Sequence, residues 1–386
     1  MKIVFFVQYN DNHVADIEQK ILSKSLTNYE KMLDLVLFES TNFFAPFVDL
    51  MREEGHEVTF ITPNIRIVQE QWAKENNADF DKDWQFTIPE LQVKSFKPDI
   101  FYTTSNFEYY TDFLENIKPH VGRIFAWISC PFDRESLELK HVDHIFTLFE
   151  PHYDYFKSIG KSCTLTHAVF DHKKLPFLDK DNNIEVSFVG GIGGYHRKRE
   201  EILKELVKKT PIKLWGYGFK SKNPIKNVLK QMKYLWIFTK RYEGEAWGKD
   251  MLNVMSNSKI TFNAHGDISY GHAVNMRLFE ATGVGTLLIT EDSPSIRELF
   301  IPGEEIICYT SAADAVEKIN YYLANEEERL KIAKAGQKRT LENYTFEHLT
   351  PQYLKIFEEK LAQNEKQFSK FTRPQNSDKL LVRDKT

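Results

Sequence analysis

Three groups of residues have the types and spacing to act on an anionic, hydroxyl-bearing ligand. The first is the run GHAVNMRLFEATGVGTLLITE at residues 271–291. Gly271 opens it, and Val274, Met276, Leu278, Phe279 and Ala281 follow at helical spacing. A glycine-led helix start presents free backbone N–H groups and the positive end of the helix dipole, which suit a phosphate. Here Gly271, Ala273, Val274 and Asn275 would line that start, and Arg277 adds a cation. Glu280 falls mid-helix, two turns on, where a carboxylate can reach a ribose hydroxyl of the same ligand. A lone Glu on a helix is otherwise a solvated face residue. Gly283 and Gly285 are expected to stop this helix, and 286–290 to form a buried parallel strand.

The second group is GGIGGYHRKR at 190–199. Gly190, Gly191, Gly193 and Gly194 sit between an apolar strand and a helix, so backbone N–H groups can approach a phosphate closely. His196, Arg197, Lys198 and Arg199 follow at once. Cations beside a glycine turn suit a pyrophosphate, which arginine can bind bidentately. The plain alternative is a basic first turn on a surface helix. The helix dipole disfavours cations there, so a bound anion would compensate them. Arg197 and Arg199 are equal candidates.

The third group sits at strand ends in the first half. His13 closes the polar loop 9–13 after the first apolar run, either as a ligand contact or as a solvent-exposed residue. Asp133 ends WISCPFD at 127–133, either to orient an acceptor hydroxyl or to cap a helix beginning near Arg134.

The elements that must position these groups alternate between strands and helices. The pattern predicts strands at 2–8, 56–62, 100–104, 122–129, 143–149 and 162–167, with helical spacing over 14–38, 43–51 and 152–158. Residues 64–86 read as helix plus loop. Such alternation implies a parallel sheet covered on both faces, which binds ligands beyond the C-terminal strand ends. The stretch 168–183 is charged, contains Pro176 and lacks periodicity, so the linker is placed at 171–183. A second α/β half follows over 184–345, with strands at 185–189, 211–215, 259–263, 286–290 and 305–309. Helices are expected at 247–256, 293–300 (Ser293 capping, Pro294 in the first turn), 314–323 and 326–343. A long helix at 346–368 and a polar tail at 369–386 complete the chain.

Composition bounds the rest. At 386 residues the prior is two domains, and 42% hydrophobic residues supply a sizeable core. A net charge of −4 gives no reason to expect nucleic-acid binding. Cys130, Cys163 and Cys308 lie far apart without metal-ligand spacing, which suits a reducing compartment and no disulfide framework. The N-terminal apolar run is too short for a signal peptide or a spanning helix, and no stretch nears the ~18 apolar residues a span needs, so a cytoplasmic protein is expected. Residues 220–241 interleave lysines with Leu229, Met232, Tyr234, Leu235, Trp236, Ile237 and Phe238. That pattern reads as a helix with its apolar face in the core, or as a peripheral contact with the inner membrane surface.

The run NMRLFEATGVGTLLIT resembles the donor-site motif of GT-B-fold retaining glycosyltransferases. It is similar to the spore-maturation and O-antigen-type branch of the glycosyltransferase family 1/4 group, whose pattern is near N-x-R-x-F-E-A-x-x-x-G. SKITFNAH before it and GEEIICYT after it extend the likeness, which covers roughly 185–345. The resemblance implies two Rossmann-like domains with a cleft between them and a C-terminal helix crossing back to the first. It implies a nucleotide diphosphate-sugar as substrate rather than a cofactor, and a glycan, lipid-linked or protein acceptor. Glu280 would hold ribose, the turn at Gly216 and Tyr217 would lie near the base, and Asn263 would stand at the cleft edge. Arg197 or Arg199 would meet the diphosphate. With Arg277 they make a metal-free site for the leaving group, since no Asp-x-Asp motif stands in a metal-site context. The larger superfamily has a second Glu eight positions before the conserved one, where this chain has His272. An epimerase on the same fold, a sugar-binding receptor and an inactive partner of a transferase are the competing readings.

Overall fold

The structure, a computed structural model, describes residues 1–40, 44–192, 196–218, 238, 240–266 and 275–371, with side chains described up to 363. Two six-stranded parallel sheets form the frame. The first joins β1 (Lys2–Phe6), β2 (Glu57–Ile61), β3 (Ile100–Thr103), β4 (Arg123–Trp127), β5 (His144–Thr147) and β6 (Cys163–Leu165) in the order β2-β1-β3-β4-β5-β6. The second joins β7 (Ile184–Val189), β8 (Ile212–Trp215), β9 (Tyr242–Gly244), β10 (Ser258–Phe262), β11 (Leu287–Glu291) and β12 (Ile307–Tyr309) in the order β12-β11-β10-β7-β8-β9. Helices cover both faces of each sheet, so the central strands carry unbroken apolar runs. In β1, Ile3 and Phe5 face one core cluster while Val4 and Phe6 face the other, the two-residue period of a strand buried on both sides.

The strand orders fix where ligands can bind. In the first sheet the chain reverses direction between β1 and β3, and in the second between β7 and β10. At such a point the adjoining loops diverge and leave a crevice at the C-terminal strand ends. The first crevice is flanked by residues 7–10 and 104–106, the second by 190–192 and 263–266.

The chain crosses between domains at two neighbouring points. Phe170 pairs with Thr345 in an isolated parallel bridge, and its N–H donates to Tyr344 O at 2.8 Å. The last helix, Phe346–Phe371, then returns to the first domain. Phe346, Leu349, Tyr353 and Phe357, one stripe of that helix, join the first domain's core. Their rings meet Phe47 (5.0 Å to Phe346), Phe146 (4.5 Å to Tyr353) and Phe125 (5.2 Å to Phe357). This is the expected crossing helix.

Several local expectations are corrected. The helical stretch 14–38 is two helices, Asp11–Ser23 and Tyr29–Glu39, each capped by an Asn side chain (Asn10, Asn28). His13 therefore lies in the first turn of a helix, not in a loop. The stretch after residue 64 holds the helix Arg66–Glu75 and then Trp84–Phe96, with Pro89 inside. The linker stretch contains a 3-10 helix, His172–Phe177, capped by Asp171. No helix begins at Arg134: Asp133 accepts from Glu135 N–H (3.1 Å) and Ser136 Oγ (2.9 Å) and closes a turn. The helix expected at 293–300 is only Ile296–Leu299, and Ser293 makes no cap. Residues 220–237 lie outside the described residues, and strand β9, which follows them, was not foreseen. Among the described residues no helix is long and apolar enough to cross a membrane.

Candidate active site in the interdomain cleft

The C-terminal edges of the two sheets face each other, and the described residues enclose two cavities between them. The first, about 290 Å³, is lined by Tyr9 and His13 from one domain and Gly216, Tyr217, Trp247 and Arg277 from the other. The second, about 450 Å³, is lined among others by Asn106, Trp127 and Cys130 on one side and His265, Asn275 and Met276 on the other. Gln8, at the end of β1, lines both.

The wall of the first cavity begins with two strand ends in close contact. Gly190 N–H donates to Trp215 O (2.9 Å), and Ile192 N–H donates to Tyr217 O (3.1 Å). Gly216 has φ +137°, and a Cβ on it would stand 2.0 Å from Gly190 O, so only glycine fits. Tyr217 then stacks on Trp247 (6.0 Å, 11° between planes), Trp247 stacks on His13 (5.5 Å, 11°), and Tyr9 meets His13 edge-on (5.0 Å). The stack joins the two domains. Glu245 steadies it by accepting from Trp247 Nε1 (3.0 Å) and from Asn12 Nδ2 (3.0 Å) across the interface. Nearby, Lys20 Nζ lies 2.9 Å from Asp16, Glu39 and Asp250. His13 is buried, and burial pushes its pKa down to about 4, so it is neutral at physiological pH. Its Nε2 has no hydrogen-bond partner.

Arg277 lines the first cavity and is backed by Glu280, which itself lines neither cavity. The described helix runs Arg277–Val284, so Glu280 is its fourth residue. It is not a solvated face residue: it is 3% exposed and ion-paired with Arg277 through Oε2. Its Oε1 has no hydrogen-bond partner. Burial raises the carboxyl pKa and the adjacent guanidinium opposes that rise. Arg277 Nη1 also points at the sulfurs of Met251 (3.0 Å) and Met255 (3.6 Å). Gly285, at φ +89°, ends the helix, but Gly283 lies within it: a Cβ there would stand 2.4 Å from the ring of Phe170 at the domain crossover.

Between the cavities, the residues expected at the cleft edge divide into two layers. Asn263 and Asn275 exchange reciprocal amide bonds (3.1 and 3.0 Å), and Asn263 Nδ2 also donates to Thr290 Oγ1 (3.0 Å). Asn263 is buried and holds Asn275 in place, and Asn275 lines the second cavity. Arg199 is 8% exposed; its Nε donates to Ala264 O (2.9 Å) and its Nη1 to Gly191 O (2.8 Å). It ties together the two loops that flank the second sheet's crevice. Arg197, first residue of the helix Arg197–Lys209, is exposed.

Thus the cleft brings together His13, Gly216, Tyr217, Asn275 and Arg277, with Gly191, Asn263, Arg199 and Glu280 supporting them. Asp133 is exposed and lines neither cavity. Gly193, Gly271, His272, Ala273 and Val274 lie outside the described residues. Trp247 and Asn106 are not among the expected site residues, and His265 is expected only as part of the 263–266 stretch at the cleft edge. Asn106 and His265 directly follow strands at the two reversal points, so strand order is the signal that finds them. Among the described residues no group of three His, Cys, Asp or Glu is placed to hold a metal ion.

Comparison with known proteins agrees with this geometry. The family described as "Glycosyl transferase-like" matches residues 197–355. No curated protein matches the sequence. Among solved structures, a glycosyltransferase from Rickettsia africae aligns with TM-score 0.59 at 11% identity, covering 93% of this chain and 98% of that one. The Anabaena protein HepE, in complex with UDP and glucose, aligns with TM-score 0.58 at 12% identity over 93% of this chain and all of its own. Sucrose-phosphate synthase from Thermosynechococcus elongatus aligns with TM-score 0.53 at 11% identity over 94% of this chain and 100% of its own. The two six-stranded domains and the crossing helix give the chain the GT-B fold of these solved structures, and its second-domain sequence is similar to the glycosyl transferase-like family over 197–355.

Proposed function

We propose that the chain transfers a sugar from a uridine diphosphate sugar to a glycan, lipid-linked or protein acceptor, with retention at the anomeric carbon and without a metal ion. The observation that carries this reading is Glu280. It is a buried carboxylate with one oxygen held by Arg277 and the other unpartnered, under the crevice of the second sheet. A buried acceptor with one vacant oxygen suits a ribose hydroxyl, which can donate to it. The nucleoside then occupies the first cavity, with Tyr217 beside the base. The diphosphate is assigned to Gly191, Gly193, Gly271, Ala273, Val274 and Asn275, with Arg277 and Arg197 as cations. The sugar extends into the second cavity, and His272 is assigned to its surroundings, while His13 stands in the wall of the first cavity. Anabaena HepE, solved with UDP-glucose and with UDP and glucose, supports the donor class.

As the glycosidic bond breaks, the anomeric carbon gains oxocarbenium character and negative charge builds on the departing diphosphate. Fixed donors and cations aimed at that charge lower the barrier most. Retention without a covalent intermediate needs no nucleophile from the chain. Calorimetric titration with UDP tests the reading: Glu280→Gln should weaken UDP binding by about 1.5–3 kcal/mol, the worth of a charge-assisted hydrogen bond. Unchanged affinity removes Glu280 from the site, and no UDP binding by the wild type overturns the reading. UDP release that requires an acceptor separates transfer from epimerisation.

A further inference from the structure

We propose that Asn106 and His265 together read one neutral hydroxyl in the second cavity, so that the site selects an uncharged sugar over a uronate. The inference rests on the nucleotide-sugar reading and narrows its substrate class. The two residues come from opposite domains, one following β3 and the other following β10, and both line the same cavity of about 450 Å³. Asn106 is 7% exposed and His265 is 6% exposed. Each carries one polar atom without a partner, Nδ2 of Asn106 and Nε2 of His265. Buried polar atoms of this kind are rare in a folded protein and call for a partner supplied from outside the chain.

The neighbours fix what each atom offers. Thr104 Oγ1 donates to Asn106 Oδ1 at 3.0 Å, which sets the amide and leaves Nδ2 as the donor. The Glu291 carboxylate faces His265 Nδ1 at 3.8 Å, and its charge favours the tautomer that carries the ring proton on Nδ1 and leaves Nε2 as an acceptor. Burial keeps this imidazole neutral by pushing its pKa down. The pair therefore presents one N–H and one lone pair. A hydroxyl satisfies both, since it accepts and donates at once. A carboxylate or phosphate accepts from Asn106 but sets its own lone pairs against Nε2. An ammonium does the reverse. The rest of the wall agrees: Trp127 and Phe149 offer ring surface to the C–H face of a sugar, and Ser129 and Asn275 are uncharged. Arg199 also lines the cavity, but its Nε and Nη1 are engaged by backbone carbonyls.

The hydroxyl can belong to the donor's sugar or to an acceptor sugar. Calorimetry on the full chain distinguishes them, using UDP, UDP-glucose and UDP-glucuronate alone, and methyl glucoside and methyl glucuronide on the UDP-saturated protein. The wild type should prefer the glucose form over the glucuronate form by about tenfold or more in one of the two series. His265→Phe should erase most of that preference, and Asn106→Leu should weaken the sugar's own contribution in both forms, while UDP affinity stays within about twofold in each variant, which also reports an intact fold. Loss in the UDP-sugar series assigns the pair to the donor, and loss in the glycoside series assigns it to the acceptor. A wild type without preference in either series, a preference that His265→Phe keeps, or a sugar contribution that Asn106→Leu keeps, overturns the inference and leaves the nucleotide reading standing. Failure of the wild type to bind UDP overturns that reading and this inference with it.

Discussion

The first cavity is walled by rings already in contact and by the Arg277 guanidinium of an ion pair; the second is walled by a mixture of rings, polar side chains and Arg199, and two of its polar side chains carry an unpartnered atom. In the first, Trp247 is held on both faces, by Tyr217 of its own domain and His13 of the other. The same short region supplies Glu245 to Asn12 and Asp250 to Lys20. Occupancy of that cavity is therefore tied to how the domains meet. The second cavity touches both domains too, with Asn106 and Trp127 on one side and His265 and Asn275 on the other. The difference teaches that shape is fixed where the nucleotide is proposed to lie, whereas unmet hydrogen bonds are kept where the sugar is proposed to lie. A pre-assembled wall loses no ordering entropy when a ligand arrives.

The largest effect should come from breaking the fixed wall. Gly216→Ala places a methyl 2.0 Å from Gly190 O at a positive φ, so the ends of β7 and β8 must part. We expect a loss of at least about 3 kcal/mol in urea denaturation, together with loss of UDP binding. Gly55→Ala is the control: it shares the positive φ, +83°, but has open space around it, so it should cost only about 1 kcal/mol. Equal costs at the two sites would mean that the strand ends separate freely and that the first cavity is no more rigid than the second.

The next effect sharpens the comparison through pH. His13 titrates at about 4 in the folded protein and near its ordinary 6.5 when unfolded. Between those values the unfolded chain binds more protons, so this residue's contribution to stability is present above pH 6.5 and is lost as pH falls toward 4. The span is worth about 3 kcal/mol. Other buried histidines, His144 and His265 among them, act in the same direction, so the wild-type curve is a sum. The difference isolates the residue: His13→Phe keeps a ring against Trp247 and should flatten the fall between pH 6.5 and 4 by about 3 kcal/mol. A variant whose stability falls in parallel with the wild type would show that His13 is not sealed in the interface.

How much of this was legible in the sequence depends on whether the signal was local. Sheet strands buried on both faces announce themselves as apolar runs, so β1, β7 and β11 were readable. The crossing helix was readable because Phe346, Leu349, Tyr353 and Phe357 form one stripe. Glu280 and Arg277 were legible through the resemblance, but their pairing was not, because a helix written as a string does not say which face is buried. Arg197 and Arg199 look alike in sequence, and only the packing of the helix turns one outward and the other beneath two carbonyls. In sequence His13 looks like a loop residue because Asn10, its cap, is a loop-type residue as well. Trp247 read as an ordinary helix start, since the ring that completes its stack comes from a residue 234 positions earlier in the chain. Asp133 misled for the opposite reason: its position after a strand is right, but its side chain is spent on its own turn.

The smallest effect separates the two arginines. Arg199 is buried and makes two bonds to backbone carbonyls, so Arg199→Lys, which keeps the charge but not the planar fork, should cost about 2 kcal/mol of stability. It should weaken uridine and UDP binding alike, because both crevice loops shift. Arg197 is exposed on the first helical turn, so Arg197→Ala should change stability by no more than about 0.5 kcal/mol. If Arg197 meets the diphosphate, that variant should lose several-fold in UDP affinity and nothing in uridine affinity, and its deficit should shrink as salt is raised. The shrinkage is diagnostic, because an exposed charge is screened over a Debye length of about 8 Å at physiological ionic strength, whereas a displaced loop is not. Equal losses for uridine and UDP in Arg197→Ala would move the diphosphate away from this helix start and toward the cation on the cleft floor, Arg277.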